Sequence, residues 1–120
     1  MAHIGKNQKW TLSREHRETI RALFEEGLDA SRVQELPGVD LYQLGDGHMI
    51  GVQLVDPDRA LGEAELALAP WLEFEVEDVE ATASKLAGLG LQRVEYHDRE
   101  HHYFKTPGGI VFRLAAAERS

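Results

Sequence analysis

The chain has 120 residues, and its 13 Lys and Arg stand against 21 Asp and Glu, a formal net charge of −8. So acidic a surface excludes the basic footprint that nucleic acid demands and electrostatic attachment to anionic lipid. Cysteine is absent, which excludes disulfides, thiolate nucleophiles and cysteine-ligated metals.

Residues 1–6 carry little signal. Asn7 to Leu12 reads as a first strand with Gln8, Trp10 and Leu12 on one face. Ser13 then suits an N-cap, and a helix continues through Ile20, Leu23 and Phe24 to Gly27. Ser31 to Leu36 reads as a second strand and Pro37-Gly38 as a turn. In the next run Val39, Leu41 and Gln43 alternate with Asp40, Tyr42 and Leu44. Asp46-Gly47 is a hairpin signal, followed by a strand from His48 to Val55 with Ile50, Val52 and Leu54 toward a core. Asp56-Pro57-Asp58 ends that strand. Residues 57–70 read as a linker with a short apolar centre and room for one helical turn.

A second series begins at Trp71. Leu72, Phe74 and Val76 point one way and Trp71, Glu73 and Glu75 the other, the mark of a half-buried strand. Val79, Ala83, Leu86 and Leu89 keep one helical face on a core, and Gly88 and Gly90 suit the helix end. Gln92 to Tyr96 and His101 to Lys105 are strand-like, Thr106-Pro107-Gly108-Gly109 is a turn, and Ile110 to Leu114 is a last strand. The order strand, helix, strand, strand, strand thus occurs twice. The helix exits Gly27-Leu28 and Gly90-Leu91 match, which supports an internal duplication.

The strand WLEFEVEDVE, the helix exit GLGL and the late TPGGIVFRL resemble the second half of a vicinal oxygen chelate protein. That superfamily includes glyoxalase I, extradiol dioxygenases, fosfomycin-resistance transferases and bleomycin-binding proteins. The resemblance implies an α+β fold in which two βαβββ modules pair their mixed sheets into a U-shaped cavity. It gives one domain, with module 1 at about 1–56, a linker at 57–70 and module 2 at about 71–115.

Many enzymes of the superfamily hold a divalent metal on histidines, or a glutamine, and carboxylates from the first and last strands of each module. Carried over position by position, the second module's ligand positions fall on Trp71 and Arg113. Those of the first fall on Asn7 and Gln53, or Gly51 if the register slips by two. None of the four is histidine or carboxylate; a guanidinium stays protonated and indole offers only a donor. No metal and no other cofactor is therefore expected.

What these positions offer instead is a small-molecule pocket in the sheet cavity, with Trp71, Glu73, Glu75, Arg113, Gln53 and Asn7 as candidate ligand contacts. Trp71 would supply an aromatic wall. Arg113, expected beside Glu73, would clamp an anionic or carbonyl group. A glutamate raised in pKa by burial is a possible proton acceptor. His97, His101 and His102 read as solvated residues at a hairpin end, and Tyr42, Tyr96 and Tyr103 as lining either the cavity or an interface.

The expectation is a cytoplasmic, glyoxalase- or bleomycin-resistance-like binder of a small molecule, working as a homodimer without nucleic-acid or membrane partners. Two other readings stand beside it: a metal-dependent lyase, isomerase or dioxygenase with ligands relocated to His3, His48, His97 or His101, and a structural module with a filled cavity.

Overall fold

The computed structural model describes residues 1–117. The chain divides into two compact units, Met1–Ala60 and a second from Leu61 onward.

The first unit opens with β1 (Asn7–Ser13), whose Trp10 and Leu12 are buried. Ser13 accepts a hydrogen bond from the Glu15 amide and caps a single 3-10 turn, Arg14–His16. The helix expected to Gly27 is regular only as α1 (Arg17–Ala22); the chain then widens into a π turn over Leu23–Gly27. That turn buries Leu23 and Phe24 together. Asp29, not a glycine, takes the left-handed backbone at its exit (φ 54°). Then come β2 (Ser31–Leu36), β3 (Val39–Gln43) and β4 (Met49–Val55). They form a sheet in the order β1-β4-β3-β2, with β1 parallel to β4 and the other pairs antiparallel. The α1 and π-turn side presses Ile20, Leu23 and Phe24 into a core shared with Tyr42, Ile50, Val52 and Leu54, and Phe24 stacks on Tyr42 at 4.3 Å.

One charge lies inside this core. Asp40 is 1% exposed. Its Oδ2 accepts from Arg17 Nε and Arg21 Nε at 3.2 and 2.9 Å, and its Oδ1 from their Nη2 atoms at 2.7 and 3.1 Å. Arg17 also donates to the Leu36 and Pro37 carbonyls, so one carboxylate fastens the helix to the β2–β3 turn.

The second unit repeats the pattern. A 3-10 turn (Pro57–Arg59) closes the first unit, and the short helix α2 (Glu63–Leu66) opens the second. Then follow β5 (Leu72–Val76), α3 (Val79–Gly88), β6 (Gln92–Arg93), β7 (His102–Lys105) and β8 (Val111–Ala116). The strand order is β5-β8-β7-β6, with β5 parallel to β8. Asp78 caps α3 through the Ala81 amide, and Gly90 provides the positive φ (91°) of its exit. On one sheet face Phe74, Phe104, Phe112 and Leu114 are buried, and Ala83 and Leu86 of α3 join that core. The opposite face of β5 carries Glu73, and it is this face that holds the chemistry. The expected strand Gln92–Tyr96 is short: after Arg93 only the Val94 amide still bonds across, to the Tyr103 carbonyl. Residues 95–101 form a loop that sets Tyr96 and Asp98 against the Tyr103 and Arg113 side chains.

Candidate ligand-binding site

In the second unit the cross-strand register sets Glu73 of β5 beside Arg113 of β8, and Arg113 beside Tyr103 of β7. Laterally paired residues share a face, so three polar side chains from three strands meet in one row. Arg113 Nε donates to Glu73 Oε1 at 2.7 Å, the contact expected from the sequence. Its Nη1 donates to Asp98 Oδ2 at 3.1 Å and to the Tyr103 hydroxyl at 3.2 Å. The Trp71 ring lies against the guanidinium, 4.7 Å from centroid to Cζ, in a cation–π contact. Its Nη2 makes no hydrogen bond to a described residue.

Around this arginine stands an aromatic group. Trp71 meets Tyr103 edge-on at 5.7 Å, and Tyr96 stacks on Tyr103 at 4.8 Å. Tyr103 is 3% exposed and forms the floor, whereas Trp71 and Tyr96 are 37% and 38% exposed and form open walls.

Electrostatically the group is nearly closed. Tyr103's hydroxyl, then Glu73, hold the Arg113 guanidinium above its ordinary pKa. The Glu100 amide, with His101 and Tyr103 behind it, holds the Asp98 carboxyl down to about 2. Arg113 is thus already matched by two carboxylates. An anion arriving there would have to displace one of them; a carbonyl oxygen needs only the unused Nη2.

The expected residues are brought together unequally. Trp71, Glu73 and Arg113 converge. Glu75 points to the same side but lies two residues further along, opposite Ala115. In the first unit Gln53 is paired with Thr11, and the Thr11 hydroxyl donates to its Oε1 at 3.5 Å. Asn7 is exposed and lies opposite Met49. The register corrects the pairing of Asn7 with Gln53. With Gln53 in the place of Arg113, the place of Trp71 falls on Lys9; Asn7 goes with Gly51 instead. Tyr42 is core, fully buried. Asp98 was not foreseen, and His101 is bonded to it at 2.8 Å rather than free in solvent.

The superfamily's divalent metal does not fit these residues. In the second unit the carried-over positions hold indole and guanidinium, and the guanidinium sits between the two nearest carboxylates. In the first unit either register offers amide, hydroxyl, ammonium or no side chain, and no imidazole or carboxylate. Among the described residues no three His, Asp or Glu side chains are grouped as a metal ion would require. An open depression in the first unit is lined by Asp29, Ser31 and residues 43–47. It has no aromatic wall, and we attach no function to it.

No family model and no curated protein matches the chain. Solved structures do. A fosfomycin resistance protein FosX variant from Listeria monocytogenes, complexed with Mn(II) and 1S,2S-dihydroxypropylphosphonic acid, superposes with a TM-score of 0.75 at 13% identity, covering 98% of this chain and 93% of that one. FosX from Mesorhizobium loti gives 0.66 at 17% identity, with 98% and 94% covered. A glyoxalase family protein from Bacillus anthracis gives 0.69 at 13% identity, with 98% and 99% covered. Together with the doubled βαβββ order and the two four-stranded mixed sheets, these likenesses give the chain the glyoxalase/bleomycin-resistance/dioxygenase fold.

Proposed function

We propose that the protein binds a small, flat, carbonyl-bearing aromatic molecule on the Trp71–Arg113 face without a metal ion, as a cytoplasmic homodimer. The observation that carries this reading is the state of Arg113: held by Glu73, Asp98 and Tyr103, stacked on Trp71, with Nη2 to spare. An unpaired arginine would favour an anion, but this one is neutralised in place. A neutral ligand stacks on an exposed ring and accepts from Nη2 while every existing bond is kept. Of the six residues expected from the sequence, Trp71, Glu73 and Arg113 form this site, and Glu75 stands at its margin. Homodimerisation is supported by β2, an edge strand exposed along its whole length that carries Val33 and Leu36. No helix among the described residues is long and apolar enough to cross a membrane.

The test is a series of one shape and three charges: methyl naphthyl ketone, naphthoate and naphthamidinium, followed by the indole N–H signal of Trp71 in NMR. Trp71→Phe separates that signal from Trp10. The ketone is expected to bind best and to lose affinity on Arg113→Met. Preference for naphthoate would sink the neutral-ligand reading, and no Trp71 response to any of the three would sink the site.

The Mn(II) in the Listeria structure favours a second reading, a metal-dependent enzyme. It requires ligands drawn from the histidines, and His101 and His48 are each already engaged by an aspartate, Asp98 and Asp46.

A further inference from the structure

We infer that Asp98 and His101 form a general acid–base pair serving this same site: His101 Nε2 takes the proton from the carbon next to a bound aromatic ketone's carbonyl, and Arg113 Nη2 holds the oxygen. The inference rests on the ligand reading above and adds a reaction to it.

The geometry is specific. Asp98 Oδ1 accepts from the Glu100 amide at 2.9 Å, which fixes the carboxylate on the loop. Asp98 Oδ2 receives three donors: His101 Nδ1 at 2.8 Å, the Tyr103 hydroxyl at 3.1 Å and Arg113 Nη1 at 3.1 Å. An ionised carboxylate can only accept, so His101 Nδ1 must carry the hydrogen. In the neutral ring that leaves the lone pair on Nε2, which makes no hydrogen bond to a described residue. The imidazole is therefore set in the tautomer of a base and oriented by its partner, the arrangement that serves proton transfer in nucleophilic and carbon-acid chemistry alike. Base and electrophile are coupled through a single oxygen, since Asp98 Oδ2 touches both the imidazole and the guanidinium. Asp98 and His101 are one-quarter and one-third exposed, so both are open to solvent beside the site.

The step balances without a co-reactant. His101 Nε2 takes the α-proton, the C–H electron pair becomes the carbon–carbon double bond of an enolate, and Arg113 Nη2 donates to its oxygen; the imidazolium formed in the same step on Asp98 balances the new negative charge, so neither carboxylate is displaced from Arg113. The imidazolium then returns a proton to that carbon, giving exchange with solvent, or to a conjugated one, giving isomerisation. The substrate class is the flat aromatic ketone with an acidic α-hydrogen. Asp98 touches no reacting atom; it orients His101 and Arg113 and is a positioning residue.

β-Tetralone in D2O is the probe. Loss of its α-hydrogen signal is measured with the full-length protein while the Trp71 indole signal is followed in the same tube. Wild-type protein is expected to exchange the α-hydrogen faster than buffer with equimolar imidazole. His101→Gln is expected to lose roughly a hundredfold or more of that acceleration while β-tetralone still shifts Trp71, and added imidazole is expected to restore part of it in His101→Gly. Asp98→Asn is expected to slow exchange and to move the His101 ring nitrogens away from the Nδ1–H tautomer. A Trp71 response with exchange no faster than the imidazole control overturns the acid–base pair and leaves the ligand site standing. Exchange by His101→Gln at the wild-type rate overturns it equally. If β-tetralone leaves Trp71 unmoved, the ligand reading fails and the reaction fails with it.

Discussion

Replacing Asp40 by Asn removes one charge and keeps the side chain's size. Burial pushes the Asp40 carboxyl up, but hydrogen bonds from Arg21 and Arg17 outweigh it and hold the pKa at about 2, against an ordinary 3.8. At about 1.4 kcal/mol per unit, the ionised form contributes about 2 kcal/mol to folding at neutral pH. Asparagine loses that and also turns an amide N–H2 toward two guanidinium groups, so about 3 kcal/mol is expected in total. For a chain of this size that is a fall in Tm of roughly 10–15 °C. The sign of the pH dependence follows from the depressed pKa. The contribution is whole above the unfolded value of 3.8 and is lost as pH falls through about 2. Thermal unfolding by circular dichroism, run at neutral pH and then down the acid limb, should show the gap between wild type and Asp40→Asn narrowing across that window. A neutral-pH gap of only about 2 °C, or a gap unchanged at the acid end, would refute the assignment of the ion cluster as the first unit's fastening.

Other outcomes follow from the same contacts. Arg113→Met is expected to weaken methyl naphthyl ketone roughly tenfold or more, and Arg113→Lys not to restore it, because an ammonium cannot reproduce the Nε, Nη1 and Nη2 directions together; calorimetric titration checks both. Gly109→Ala is expected to cost about 1–3 kcal/mol, since φ is +107° and the added Cβ would lie 2.9 Å from the Glu63 Cα; urea unfolding measures it. Leu86→Ala, which empties a fully buried place under the second sheet, is expected to cost about 2–5 kcal/mol by the same measurement.

The strand faces were legible because each sheet buries one side. Trp10 and Leu12, Ile50 with Val52 and Leu54, and Phe74 all lie where alternation put them. Gly90, Gly108 and Gly109 take the positive φ that their turns demanded. The register of β1 on β4 was not legible, for a physical reason. Alternation repeats every two residues, so a slip of two leaves the pattern unchanged, and no tight turn joins these parallel strands to fix it. Sequence alone therefore leaves both Gln53 and Gly51 open as the position that goes with Asn7, and the strand pairing selects Gly51. The first helix misled because Leu23 and Phe24 win their burial by widening the helix, a packing gain that no propensity shows. The site was half legible. Glu73 and Arg113 are neighbours by strand pairing, which the repeat order implied. Asp98 arrives on a loop whose path depends on β6 ending at Arg93. The available signal was HDREH, an aspartate three residues before a histidine; without the loop's course it read as solvated turn.

The central claim is that the Trp71–Arg113 face binds a neutral carbonyl ligand without a metal. The most direct measurement is a titration of methyl naphthyl ketone, followed by the Trp71 indole signal, in EDTA-treated protein and again with added Mn(II) or Zn(II). One ketone is expected to bind per chain in EDTA, with the same affinity in the presence of either ion. Binding that appears only after the ion is added, or one ion held tightly per chain, would contradict it and make the histidines metal ligands.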